Sequence, residues 1–114
     1  MRTFDTGATR DSDDGKLDYD GFLSPVALER YAEYMHVHRV QPDGSLRASD
    51  NWQKGIPVEQ YRKSLWRHFF DAWKIGRGYQ VRDRITGEPV TLEQALCGVL
   101  FNTFGWLHEI SKRG

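Results

Sequence analysis

A single cysteine, Cys97, excludes an intramolecular disulfide and a multi-cysteine zinc site in this 114-residue chain. It lies in the apolar run ALCGVLF, where a small buried thiol is expected rather than a nucleophile. No apolar run approaches the roughly 18 residues needed to span a bilayer. The opening stretch MRTFDTGATRDSDDGKLD carries charge but lacks the apolar centre of a signal peptide. The expectation is a soluble protein of a reducing, cytoplasmic compartment, with no membrane partner. Excess charge is missing too: Lys+Arg and Asp+Glu each total 16, so the formal net charge is zero. Without an overall basic field, duplex nucleic acid is not an expected partner, although a local basic cluster can still hold one small phosphate ligand. The chain contains no Gly-rich phosphate loop, HExxH, GxSxG or CxxC, which disfavours the common phosphate-binding and protease architectures.

What is present points to one all-α domain over residues 1–114. Residues 1–23 lack helical periodicity and carry Gly7, Gly15 and Gly21, predicting an irregular arm whose end packs down through Tyr19 and Phe22. Ser24 followed by Pro25 is a helix start, and a helix is predicted over about 25–38. The polar segment 41–56 holds a PDG turn and Trp52, and reads as a loop. Pro57 opens a second helix, about 57–74, in which Val58, Tyr61, Leu65, Phe69 and Ala72 recur at threes and fours until Gly76 and Gly78. The segment YQVRDRITGEPV reads as a small hairpin or a loop. Thr91 with Gln94 forms a capping box ahead of a third helix, about 92–111. A bundle this small leaves apolar surface exposed, so a homo-oligomer, a dimer or a dimer of dimers, is expected to complete it.

Two short spacings carry the chemistry. Glu29 and Glu33 share one face of the first helix with His36, and His68 and Asp71 share one face of the second with Ser64. Oxygen-rich convergence of this kind is what Mg²⁺ or Mn²⁺ requires. An exposed acidic face explains the first spacing equally well, and a buried histidine–aspartate hydrogen bond explains the second. Asn102 occupies a comparable margin of the third helix, as a further metal ligand or as part of a core network. Lys16, Arg39, Lys54 and Arg67 are candidate phosphate contacts, and Trp52, Tyr19 and Tyr31 are candidate stacking surfaces for a base. Ordinary solvated charge and core packing compete with each of these assignments.

The runs KLDYDGFLSPVALERYAEYMHVHR, DNWQKGIP, YRKSLWRHFFDAWK and ALCGVLFN resemble the phage and bacterial dATP/dGTP diphosphohydrolase N-terminal family, a MazG-like group of all-α nucleotide pyrophosphohydrolases. The resemblance covers about residues 15–110, with NW-x-KG and LWRH its most specific parts. It implies a small helical bundle that hydrolyses a purine deoxynucleoside triphosphate, dGTP first, to the monophosphate and pyrophosphate in phage nucleotide metabolism. In the family's EExxE motif, Glu29 and Glu33 match the first and last acids and Arg30 stands at the middle one. In its ExxD motif, His68 replaces the glutamate and Asp71 matches the aspartate. The resemblance thus implies a metal held by Glu29, Glu33 and Asp71 with Asn102 assisting, and Glu33 or His68 as the base for water. Lys16, Lys54 and Arg67 would hold the distal phosphates, and Trp52 or Tyr19 would lie on the purine. A non-catalytic nucleotide-binding module and a purely structural helical domain are the rival readings.

Overall fold

The computed structural model describes residues 2–12 and 14–112 and is predominantly helical. Four α-helices follow one another: α1 (Tyr19–Phe22), α2 (Pro25–Val37), α3 (Val58–Gly76) and α4 (Leu92–Ser111). The starts of the long helices are written locally. Ser24 Oγ accepts the Ala27 amide at 3.1 Å ahead of Pro25. Thr91 Oγ1 accepts the Gln94 amide at 3.1 Å while Gln94 returns its side-chain oxygen to the Thr91 amide at 3.0 Å. Pro57 sits just outside α3 as its cap rather than as its first residue. α3 runs to Gly76 and is followed, after Arg77, by the positive-φ Gly78, a conformation that disfavours other residues.

α3 and α4 pack antiparallel, and glycine sets their spacing. Gly105 lies against the Tyr61 ring and Gly98 against the His68 ring, so matched contacts recur every seven residues along both helices. The core sits along this seam, where Tyr61, Ala72, Ala95 and Cys97 are the buried hydrophobic residues. Burial pushes the Cys97 thiol up, in keeping with a packing role. α2 docks on α4, with the Tyr31 and Phe104 rings 5.7 Å apart and Arg30 Nε 2.9 Å from Glu93 Oε2.

Two loops lie over the ends of this scaffold. After α2 the chain bridges Val40 to Leu46 around Pro42-Asp43-Gly44, then makes a 3-10 turn over Asn51–Lys54. That turn is fastened to α4. Trp52 meets the His108 ring edge-on at 4.8 Å, and the Ile56 amide donates to the buried Glu109 carboxylate at 3.4 Å. Residues 79–90 form a hairpin-like loop with one bridge, Arg82 to Pro89, whose turn is closed by Asp83 accepting the Ile85 and Thr86 amides.

The arm differs from expectation. It holds a two-stranded antiparallel ribbon, β1 (Arg2–Thr3) with β2 (Thr9–Arg10), closed by Gly7 at positive φ, and then the single turn α1. Asp18 creates α1 by capping the Gly21 amide. Tyr19 and Phe22 do not pack down within the chain, being 67% and 79% exposed. Apolar residues without a partner helix have nothing to bury against, whatever their sequence pattern. Among the described residues no helix is long and apolar enough to cross a membrane.

Candidate functional site

A concavity of about 780 Å³ lies between α2, α3, α4 and the loop that follows α2, a size typical of small-molecule sites. Its walls have a distinct chemistry. Tyr31, Tyr34, Trp52 and Phe101 supply aromatic surface; Arg39 and Arg47 supply positive charge; His36, His38 and His68 supply imidazoles. Ser64 and Asn102 complete the polar lining, and among the described residues no aspartate or glutamate faces the cavity. A shallower apolar groove of about 430 Å³ adjoins it, sharing Tyr31 and Trp52.

The arginine side is built by the turn after α2. Arg39 Nε donates to the Arg47 carbonyl at 2.8 Å, and Arg47 Nη1 donates to the His38 carbonyl at 3.2 Å. These bonds orient both side chains. A guanidinium carries five N–H groups, so each fork keeps donors for an anion. His38 stacks on Tyr34, ring centroids 4.0 Å apart, with Nδ1 2.8 Å from the Tyr34 carbonyl oxygen. Burial pushes the Tyr31 phenol up to about 12 and raises that of Tyr34, so both hydroxyls remain protonated donors at neutral pH.

The opposite wall comes from α3 and α4. His68 is half-buried over Gly98, and desolvation lowers its pKa, opposed by Asp71 and reinforced by Arg67 and His38. Near neutral pH the ring is therefore uncharged and its nitrogen can accept a proton. Arg67 Nη2 donates to Ser64 Oγ at 2.8 Å, which holds a cation beside the cavity wall. Asn102 is buried, and its amide nitrogen donates to the Gly98 carbonyl at 2.7 Å, so it braces α4.

The structure thus gathers Tyr31, His36, Arg39, Trp52, Ser64, His68 and Asn102 in one cavity, with Arg67 bonded to a lining residue and Asp71 acting on His68. It does not bring the remaining sequence candidates there. Glu29 and Glu33 are exposed on α2 and line neither concavity, nor do Lys16, Tyr19 and Lys54. From α2 the cavity takes Tyr31, Ala32, Tyr34, Met35 and His36; His36 shares a helix face with Glu29 and Glu33, but the two carboxylates themselves do not line it. Arg30, expected only as a departure from an acidic motif, instead pairs with Glu93 across the α2–α4 contact. Among the described residues no group of three or more His, Cys, Asp or Glu side chains is placed to hold a metal ion. Within one chain, then, Glu29, Glu33 and Asp71 are not grouped as a three-carboxylate cation site. His38 and Arg47 are lining residues that sequence spacing missed. The run His36-Val37-His38-Arg39 at the end of a helix was the available signal.

Acid should destabilise the fold through His68. The unfolded chain takes up its proton near pH 6.5 while the folded chain resists. His68's influence is absent above that value, and stability is lost as pH falls through it, until the lowered folded pKa is passed. Thermal midpoints followed from pH 8 to 5 should therefore fall less steeply in His68→Gln than in the wild type. Equal slopes would remove the buried-imidazole reading.

Compared with known proteins, the chain matches no protein-family model, no curated protein and no solved structure.

Proposed function

We propose that the cavity binds a purine nucleoside triphosphate, dGTP first, and that the chain hydrolyses it to the monophosphate and pyrophosphate with Mg²⁺ or Mn²⁺. The observation that carries the binding half is the lining itself. Two arginine forks, three imidazoles and no facing acid suit a phosphate chain, while Trp52 and the two tyrosines offer flat surface to a base. The hydrolytic half rests on the resemblance to the MazG-like family together with one feature of the cavity: His68 is an uncharged proton acceptor there. Of the two candidate bases, His68 lines the cavity and Glu33 does not. A divalent ion would neutralise charge developing on pyrophosphate. Because Glu29, Glu33 and Asp71 are not grouped within one chain, no step is assigned to it. Apolar surface left open on the single chain supports the further proposal that the working form is a homo-oligomer.

One observation favours a second reading, binding without turnover: a cavity that no carboxylate faces among the described residues is better equipped to hold an anion than to anchor a metal. Purified protein incubated with dGTP, dATP, dCTP or dTTP and either metal decides between them. Monophosphate and pyrophosphate are the expected products. Tight calorimetric binding that persists in EDTA, with the nucleotide recovered intact, establishes the second reading, and no binding of any nucleotide ends both.

A further inference from the structure

The strongest feature outside the cavity is on α3. Trp66, Phe69, Phe70 and Trp73 are each more than half exposed and lie three and four residues apart, so they form one continuous stripe. Edge-to-face contacts tie Trp66 to Phe69, centroids 6.5 Å apart, and Phe70 to Trp73, 6.0 Å apart. The stripe occupies the side of α3 turned away from the Tyr61 and His68 contacts with α4, and none of its residues lines either concavity.

We propose that this stripe is the seam of a homodimer in which α3 packs antiparallel against α3 of a second copy. The proposal gives a surface to the oligomer proposed above and rests on that reading. Two observations identify the occupant. The first is area: the chain exposes 9360 Å², whereas a compact monomer of its 13.3 kDa mass exposes roughly 6,450 Å². Part of the difference belongs to the extended arm. An obligate homodimer buries roughly 1,000–2,500 Å² per subunit, which the open surface of this chain can supply.

The second is symmetry. An isologous interface needs a patch complementary to itself, and the order Trp66, Phe69, Phe70, Trp73 reads the same in both directions. A two-fold axis between Phe69 and Phe70 sets Trp66 opposite the partner's Trp73 and Phe69 opposite the partner's Phe70. Like aromatic pairs then meet along the whole seam. A partner of different sequence would gain nothing from this palindrome.

The test is the solution mass of the whole chain by light scattering, with helicity followed by circular dichroism. The wild type is expected at twice the chain mass. Phe70→Lys is expected to weaken association at least 100-fold with helicity retained, and Ile85→Lys, on the exposed 79–90 loop, to leave it unchanged. If Phe70→Lys fails to fold, a Phe69→Cys variant carrying Cys97→Ser is oxidised instead, and a covalent dimer is expected. A monomeric wild type overturns both the oligomer and the seam. A dimer that survives Phe70→Lys, or fails to cross-link through position 69, overturns the seam alone. Capture of a different protein by a monomeric chain also counts against it.

Discussion

Replacing Gly105 with alanine is expected to lower the thermal midpoint by roughly 4–15 °C. A Cβ at that position would stand 2.6 Å from the Tyr61 hydroxyl oxygen and closer still to two ring carbons. Tyr61 has no room to retreat, being 1% exposed and the largest fully buried side chain. The helices must move apart or the ring must leave its rotamer, and overpacking of this kind costs about 1–3 kcal/mol. Tyr61→Ala should cost more, about 3–5 kcal/mol, because the seam then loses its main contact and keeps a cavity. Tyr61→Phe has the opposite expectation. The Tyr61 hydroxyl is buried without a hydrogen-bond partner, so its removal relieves a desolvated polar group and should leave stability unchanged or raised. Chemical denaturation of the three variants checks the series. A Gly105→Ala protein as stable as the wild type would mean that the helices are not held at glycine distance.

Arg39→Ala should weaken triphosphate binding by roughly 10- to 100-fold, the effect of removing one or two charge-assisted hydrogen bonds worth about 1.5–3 kcal/mol. Arg39 has a double influence, since it both faces the cavity and fixes the Arg47 carbonyl. Arg39→Lys should restore only part of the affinity, because an ammonium supplies a point charge without a planar fork. Lys54→Ala is the matched control, a cation of the same loop that lines neither concavity. Isothermal calorimetry with dGTP at fixed ionic strength reads all three variants. Equal affinities for Arg39→Ala and the wild type would detach the cavity from nucleotide binding.

The three long helices were legible because their signals are local. Ser24-Pro25 and the Thr91–Gln94 box each lie within one turn, and the stripe through Tyr61, Leu65 and Ala72 needs only helical periodicity. The ribbon Arg2–Thr3 with Thr9–Arg10 escaped notice since a two-residue strand has no periodicity to detect. For the site, the sequence gives the angular position of a side chain on its own helix but not which neighbour lies across from it. His68 and Asn102 came together because α3 and α4 share the seam through Gly98. Of the face carrying Glu29, Glu33 and His36, only His36 reaches them, because α2 docks on α4 through Tyr31 and Arg30 and presents its C-terminal turns to the cavity. Arg47 was invisible for a different reason: its place depends on the Val40–Leu46 bridge, a feature of loop geometry rather than residue spacing.

The fastening of the post-α2 loop to the far end of α4 has a kinetic side. Trp52 meets His108, and Ile56 meets Glu109, across more than fifty residues of chain, while the α3–α4 hairpin closes over a much shorter span. Long-range closures carry the greater loop entropy and form late. The cavity wall is thus expected to open locally, at less than the free energy of global unfolding, with the hairpin still formed. A ligand could enter by local release of that wall while the glycine seam beneath stays intact.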